Sequence, residues 1–225
     1  MESLRDRQKE RRRRDIMDAA WALIGEKGLD ATSIEEIATK AEVGPATVYN
    51  YFGSKNDLFE ALFVRYIERE VQAGEDCLVD PPQDMAEGMA ALFETYLVRA
   101  NESCTPLIMR EFYVLSMSKQ FDYGRETYRL KQRFMEQAVR LATHYKERGQ
   151  VREDVSAADA AVMCYSAITF PFLLTFLGMG MDLDTARELV RRYVRFAIDG
   201  IGRRYAAPGT GTGSASQSAM SHQYM

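Results

Sequence analysis

The sequence predicts an all-α fold in two parts, a small N-terminal three-helix head and a larger C-terminal helical bundle. Three observations carry this. Apolar residues recur at i, i+3, i+4 and i+7 along most of the 225 residues, the period of an amphipathic helix. The gaps between these stretches hold helix-start signals (Ser33, Gly44-Pro45, Ser54, Thr105-Pro106) and helix-stop glycines (Gly28, Gly149). No stretch of substance alternates apolar and polar residues as a half-buried strand would, and there is no internal repeat.

The first helix is expected from about Lys9 to Lys27, with Ile16, Ala20, Leu23 and Ile24 inward and Gly28 as its stop. Thr32 and Ser33 each precede a glutamate by three residues (Glu35, Glu36), and either pair makes a capping box. Ile34, Ile37, Ala38 and Ala41 follow at helical spacing. Gly44 can cap a further short helix whose first position suits Pro45, since that amide would be unpaired anyway. Ser54, three residues before Asp57, opens a longer helix carrying Leu58, Leu62 and Ile67 and running to about Ala73. It would bridge head and body.

Pro81-Pro82 punctuates the chain. Met85, Met89, Leu92, Phe93, Tyr96 and Leu97 then form a strong helical stripe, and Thr105-Pro106 leads into Met109, Phe112 and Tyr113. A long helix is expected from about Tyr123 to Arg148, with Leu130, Phe134, Ala138, Leu141 and Tyr145 on one face. Asp154 or Ser156 caps a strongly apolar helix to about Leu177, and the last helix covers roughly 183–204. Residues 206–225, rich in Gly, Ser, Thr and Ala without an apolar period, are expected to be a disordered tail. The domains read as 1–55, 56–205 and the tail 206–225.

The short helix opened by Pro45 is polar and aromatic where packing would ask for aliphatic residues. At 100° per residue, Val48 faces the core with Phe52 beside it, Ala46 and Asn50 point away, and Thr47 and Tyr49 lie on opposite flanks. Two short helices in this arrangement make a helix-turn-helix. In a major groove, Asn50 could pair bidentately with adenine and Ala46 could touch a thymine methyl. Thr47, Tyr49 and Lys55 suit phosphate oxygens, which fix register rather than sequence. A generic helical hairpin with an aromatic packing patch is the alternative.

Residues 11–64 resemble the DNA-binding domain of the TetR/AcrR family of bacterial transcriptional regulators. The matching pieces are RRRRDIMDAAWALIGEKGLDATSIEEIA, TVYNYFGSK and DLFEAL, in the family's order and over about a quarter of the chain. The resemblance implies a three-helix DNA-binding head, an all-helical effector-binding domain, a homodimer and, most commonly, repression. It also implies that Tyr49, Tyr51 and Lys55 touch the DNA backbone, that Pro45, Ala46 and Asn50 face bases, and that Ser33 meets a phosphate. Two positions depart from the family pattern. Glu42 stands in the turn where glycine is usual, a place that commonly needs positive φ. Pro45-Ala46 replaces a more usual polar and glycine pair, so an operator sequence does not carry over.

Composition sets bounds. The chain has 29 Lys/Arg and 33 Asp/Glu, a formal charge of −4, which does not advertise a nucleic-acid partner. The charge is uneven, however. Residues 1–14 carry seven basic and three acidic side chains, ending in Arg11-Arg12-Arg13-Arg14, and local charge governs at a Debye length of about 8–10 Å. Such an arm beside a reader helix is the electrostatic footprint of DNA binding, though a solvated tail looks the same. Three widely separated cysteines, Cys77, Cys104 and Cys164, suit reduced thiols and a cytoplasmic location. No uninterrupted apolar run reaches about 18 residues, so no membrane span is expected.

The last two predicted helices, about 156–177 and 183–204, are the dimerisation candidates. The first is apolar nearly all round, and such a helix needs partners on every side. A second subunit or the rest of one subunit could supply them. The resemblance implies an effector cavity in the body, and Met89, Phe93, Met109, Phe112, Tyr113, Met117, Phe170 and Phe172 are its candidate lining; on their own these stripes read equally as core. Pro171 inside a helix removes a donor and displaces the carbonyl of Ala167, which would widen the bundle. No nucleophile–base pair, phosphate-binding loop, metal set or cofactor motif stands out, so an enzyme is not expected. The expectation is a dimeric DNA-binding regulator, a repressor released from a pseudo-palindromic double-stranded operator by a hydrophobic or amphipathic small molecule. Its rival is a DNA-binding dimer controlled by a protein partner.

Overall fold

A computed structural model describes residues 3–117 and 125–201, without the side chains of 115–117, 125–131 and 201. Its regular elements are α1 (Leu4–Lys27), α2 (Ile34–Lys40), α3 (Pro45–Phe52), α4 (Lys55–Val79), α5 (Met85–Ser103), α6 (Pro106–Met117), α7 (Arg125–Glu147), α8 (Ala157–Phe176) and α9 (Leu183–Ile201). The fold is all-α, as the apolar period requires.

The starts follow local chemistry. Ser33 and Glu36 make a reciprocal capping box on α2, Gly44 with Pro45 opens α3, and Ser54 accepts from the Asp57 amide to open α4. Ser156, not Asp154, caps α8; Asp154 pairs with Arg152 instead. Thr32 is not the α2 cap either. It is buried, and its hydroxyl donates to the Gly28 carbonyl at 2.8 Å.

Two boundaries differ from expectation. The first helix begins at Leu4 rather than near Lys9, because Ser3 and Asp6 form a capping box. The extension of more than one turn adds Arg5 and Arg7 to the helix that carries the basic run. The bridging helix α4 reaches Val79 rather than Ala73, since Val71, Gly74, Cys77 and Leu78 continue its packed face. The expected tail, 206–225, lies outside the described residues.

The head's core is Ile16, Ala20 and Ile24 of α1, Ile37 of α2, Val48 of α3, and Leu58 and Leu62 of α4, each at most 1% exposed. In the body α8 packs on α7 and α9, α5 on α9, and α4 on α7. Polar ties fix the register of these contacts. Buried Glu94 of α5 takes Arg187 at 3.2 Å and Arg191 of α9. Buried Gln137 of α7 accepts from the Tyr96 hydroxyl at 2.5 Å and donates to the Val71 carbonyl at 2.7 Å and Glu75 at 2.8 Å. Groups this deep contribute specificity, because a mismatched helix would leave them unpaired.

Head and body meet at Phe112 of α6. Its ring centroid lies 5.9 Å from Trp21 of α1, and 5.1 and 4.4 Å from Phe59 and Phe63 of α4. The Thr105 hydroxyl, just before α6, donates to the Gly25 carbonyl of α1 at 3.2 Å, and a Cβ on Gly25 would already press Ile108 at 3.3 Å. α6 is therefore in direct contact with the helix that carries the basic run.

Candidate functional site

The turn between α2 and α3 is held by the Val43 amide donating to the Ala38 carbonyl at 2.9 Å. Closing it puts Glu42 at φ 55°, the conformation that glycine would take without strain. The turn sets the exit angle of α3, whose single fully buried residue is Val48. Pro45, Ala46, Tyr49 and Asn50 are exposed, and Thr47 and Tyr51 half-buried. The wheel's outward edge is thus the solvent edge. Phe52 is only half-buried rather than core, and the Arg13 guanidinium lies over its ring at 5.3 Å from the centroid.

That contact joins α3 to the basic face of α1. Between them lies a groove of about 630 Å³ walled by Arg5, Lys9, Arg12 and Arg13 on one side and Asn50 and Tyr51 on the other. Cations beside an exposed Asn, Ala and Tyr edge match what a duplex presents, with phosphates flanking base edges. The groove was not visible from the sequence, because a helical wheel of α1 alone does not say that its basic side faces α3, and Arg5 was expected to precede the helix.

Two of the predicted DNA contacts have other duties here. The Lys55 ammonium donates to the carbonyls of Leu29 at 2.8 Å and Thr32 at 2.9 Å. Two of its three donors close the loop between α1 and α2, and the side chain is half-buried. The Ser33 hydroxyl accepts from the Glu36 amide at 3.2 Å and donates to its carboxylate at 3.0 Å. Glu36 is in turn paired with Lys27, which together with the Ser33 bonds brings its carboxyl down to about 2.

The body encloses a cavity of about 320 Å³ between α4, α5, α6, α7 and α8. Of the eight side chains expected there, Met109, Phe112, Tyr113 and Phe172 line it. Three do not. Met89 and Phe93 are fully buried in the core elsewhere, and Phe170 is 56% exposed on the outer side of α8. The side chain of Met117 lies outside the described residues. The sequence reading missed Phe63, Tyr66, Glu70 and Ile67 of α4, with Tyr165 and Phe176 of α8. Glu70 carried a signal: it falls at i+3 from Ile67 and i+7 from Phe63 on the inward stripe of its helix, where an acid is out of place. Pro171 is buried within α8; the Thr175 hydroxyl donates to its carbonyl at 2.9 Å, and Thr169 donates to Tyr165.

Burial pushes the hydroxyls of Tyr66, Tyr96 and Tyr165 up, so they stay neutral donors. Among the described residues no group of three or more His, Cys, Asp or Glu is placed to hold a metal ion.

A family model described as bacterial regulatory proteins of the tetR family matches residues 16–62, the stretch from the first buried turn of α1 to Leu62 of α4. The head of this chain matches the tetR family of bacterial regulatory proteins. The match runs past the boundary drawn at 55, because α4 contributes Leu58 and Leu62 to the head's core. The chain is 33% identical over 108 residues to the HTH-type transcriptional repressor NicS of Pseudomonas putida, covering 46% of the chain and 50% of NicS. Matches to such curated relatives span half or less of those proteins' own length. Solved structures match over more of the chain at lower identity, which speaks to fold alone. A TetR-family structure from Mesorhizobium loti superposes with a TM-score of 0.72, at 21% identity over 86% of this chain and 98% of that one. The transcriptional regulator FadR of Bacillus subtilis, solved in complex with stearoyl-CoA, gives 0.65, at 18% identity over 84% and 98%.

The outer face of α8 and α9 carries exposed apolar side chains. Val162, Met163 and Phe170 of α8 and Phe196 of α9 are between 48% and 64% exposed. The expectation that no stretch is long and apolar enough to span a membrane needs correcting: α8 is 20 residues with a hydropathy of 1.5 over an 18-residue window. Its inner side is packed on α7 and α9, and its apolar outer side is left uncovered.

Proposed function

We propose that this protein is a homodimeric transcriptional repressor that reads a pseudo-palindromic operator with α3 and leaves it when a hydrophobic or amphipathic small molecule enters the body cavity. The observation that carries the reading is the pairing of an exposed Asn50–Ala46 edge with the basic groove of α1. Asn50 and Ala46 take base edges. Tyr49, Tyr51 and Thr47 take phosphates, and Lys55 chiefly holds the loop that aims α3. Two heads about 34–36 Å apart on a dimer would read successive major grooves.

Control follows from position. Phe112 lines the cavity and also packs on Trp21 of α1. A ligand that displaces α6 therefore moves the helix beside the reader. Only differential affinity for the two head spacings counts, and typical couplings are about 1–3 kcal/mol. The stearoyl-CoA held by a protein of the same fold supports an amphipathic guest.

Fluorescence anisotropy with the full chain tests the reading. Native protein should prefer a fragment from upstream of its own coding gene over a scrambled competitor. Asn50→Ala should lose about 1–3 kcal/mol of discrimination at one base pair and keep its salt-dependent background binding. No preference for that fragment, or an Asn50→Ala variant with full discrimination, would sink it. Unchanged operator affinity across a screen of apolar compounds would favour control by a protein partner instead.

A further inference from the structure

The cavity is lined largely by aromatic rings, and among the described residues one carboxylate lines it. Glu70 lines it from α4, together with Tyr66 and Ile67 of the same helix and Phe172 of α8, and it is 1% exposed. Neither of its oxygens has a hydrogen-bond partner. A buried polar atom left unpaired costs about 1–3 kcal/mol, more when charged, so the group is conspicuous in a body where Glu94 and Gln137 are fully paired.

The charged and titratable groups around it do not supply the missing bonds. On its own helix, Tyr66 is neutral and Arg69 is exposed. From α5, the Arg99 guanidinium reaches Glu102 at 3.7 Å, and its Nε is itself buried without a partner. Ser103 approaches without completing a hydrogen bond, and the Cys104 thiol is held neutral by burial. Tyr113 of α6 and Tyr96 of α5 also line the space, and burial keeps the Tyr96 hydroxyl neutral.

Resting on the reading of this cavity as the effector site, we propose that its effector is a lipophilic amine, whose ammonium group pairs with Glu70 while its apolar body lies among the surrounding rings. The chemistry discriminates between classes. A cation restores both the hydrogen bonds and the countercharge that the carboxylate lacks, and the faces of Phe63, Phe112 and Phe172 add cation–π attraction. A neutral apolar guest leaves Glu70 as it is. A carboxylic acid adds a second like charge in a water-poor space.

A proton couples to the event. Burial raises the Glu70 carboxyl from 4.5 to about 7, against the pull of Arg99 and Arg69. At neutral pH the empty site is therefore partly protonated. An arriving ammonium favours the ionised form, and the displaced proton passes to buffer.

Matched probes test this on the full chain: octylamine, octanol and octanoate, by isothermal titration and by displacement of the neutral dye Nile red. Octylamine should bind at least tenfold tighter than octanol, with octanoate weakest. Its apparent enthalpy should change between phosphate and Tris buffers at pH 7, while that of octanol should not. Glu70→Gln should bring the amine within about twofold of the alcohol and abolish the buffer dependence. Octanol binding with no preference for the amine would overturn the inference and leave the cavity reading intact. So would a preference that persists in Glu70→Gln, or a variant that loses stability with an unchanged amine-to-alcohol ratio, which would make Arg99 the partner of Glu70. Failure of all three probes and of Nile red to bind would remove both readings.

Discussion

Glu42 and Glu70 each break a local rule, and each makes a measurable statement about stability. Glu42 holds φ 55° in the turn before α3, where an L-residue costs roughly 1–2 kcal/mol and glycine does not. Part of that gain is lost to the greater freedom of glycine in the unfolded chain. Glu42→Gly should therefore stabilise by roughly 0.5–1 kcal/mol, a rise in melting temperature of about 1–4 °C at this chain length; a lower melting temperature would contradict the strained turn. Glu70 acts through pH. Its unfolded carboxyl ionises near 4.5, while the folded one holds its proton to about 7. Between these values the unfolded chain binds fewer protons, so stability is full below about 4.5 and falls as pH rises to about 7. The loss is on the order of 2–3 kcal/mol. Glu70→Gln removes that dependence, so in urea melts its advantage over the native chain should grow from pH 5 to pH 8. An equal difference at both pH values would count against the buried, unpaired carboxylate.

At the scale of elements, packing reverses what propensity predicts. Glycine inside a helix costs about 1 kcal/mol against alanine, so Gly88→Ala in α5 and Gly200→Ala in α9 look alike from the sequence. They are not alike in the fold. A Cβ on Gly88 would fall 1.8 Å from the Tyr145 hydroxyl, which donates to the Pro82 carbonyl at 2.6 Å in a fully buried side chain. A Cβ on Gly200 meets nothing within 4 Å. Gly88→Ala should destabilise by about 1–3 kcal/mol through overpacking and a lost buried hydrogen bond, and Gly200→Ala should stabilise by up to about 1 kcal/mol. Thermal melts of the pair check both signs together; two shifts of the same sign would mean that α5 and α7 are not this close.

For the whole molecule, the open question is what covers α8 and α9. Val162, Met163 and Phe170 fall within about 100° of one another on α8, and Phe196 of α9 is exposed as well, large apolar side chains of the kind that interaction surfaces present. The proposed two-fold dimer would bury them against their own copies, where each side chain meets the same patch. Phe170→Glu should then shift the protein to a monomer in sedimentation velocity and reduce operator affinity, since one head reads one half-site. A variant that remains dimeric would move the interface elsewhere. The native core is hardly touched by this change, because Phe170 is 56% exposed.

The sequence determined what a few neighbouring residues decide. The caps at Gly44-Pro45 and Ser54, the choice of cap narrowed to Thr32 or Ser33 and to Asp154 or Ser156, and the outward edge of α3 all depend on contacts within one or two helical turns. Only the tertiary structure decided the rest. Lys55 finds the carbonyls of Leu29 and Thr32 more than 20 residues away. The basic run joins α3 in one groove because α1 begins earlier than its apolar stripe does. Glu70 came to line the cavity, Met89 and Phe93 became core, and Phe170 became surface. A helical wheel says which side chains turn inward, but whether inward means close packing or a cavity depends on where several helices meet, and that distance is written in no one of them.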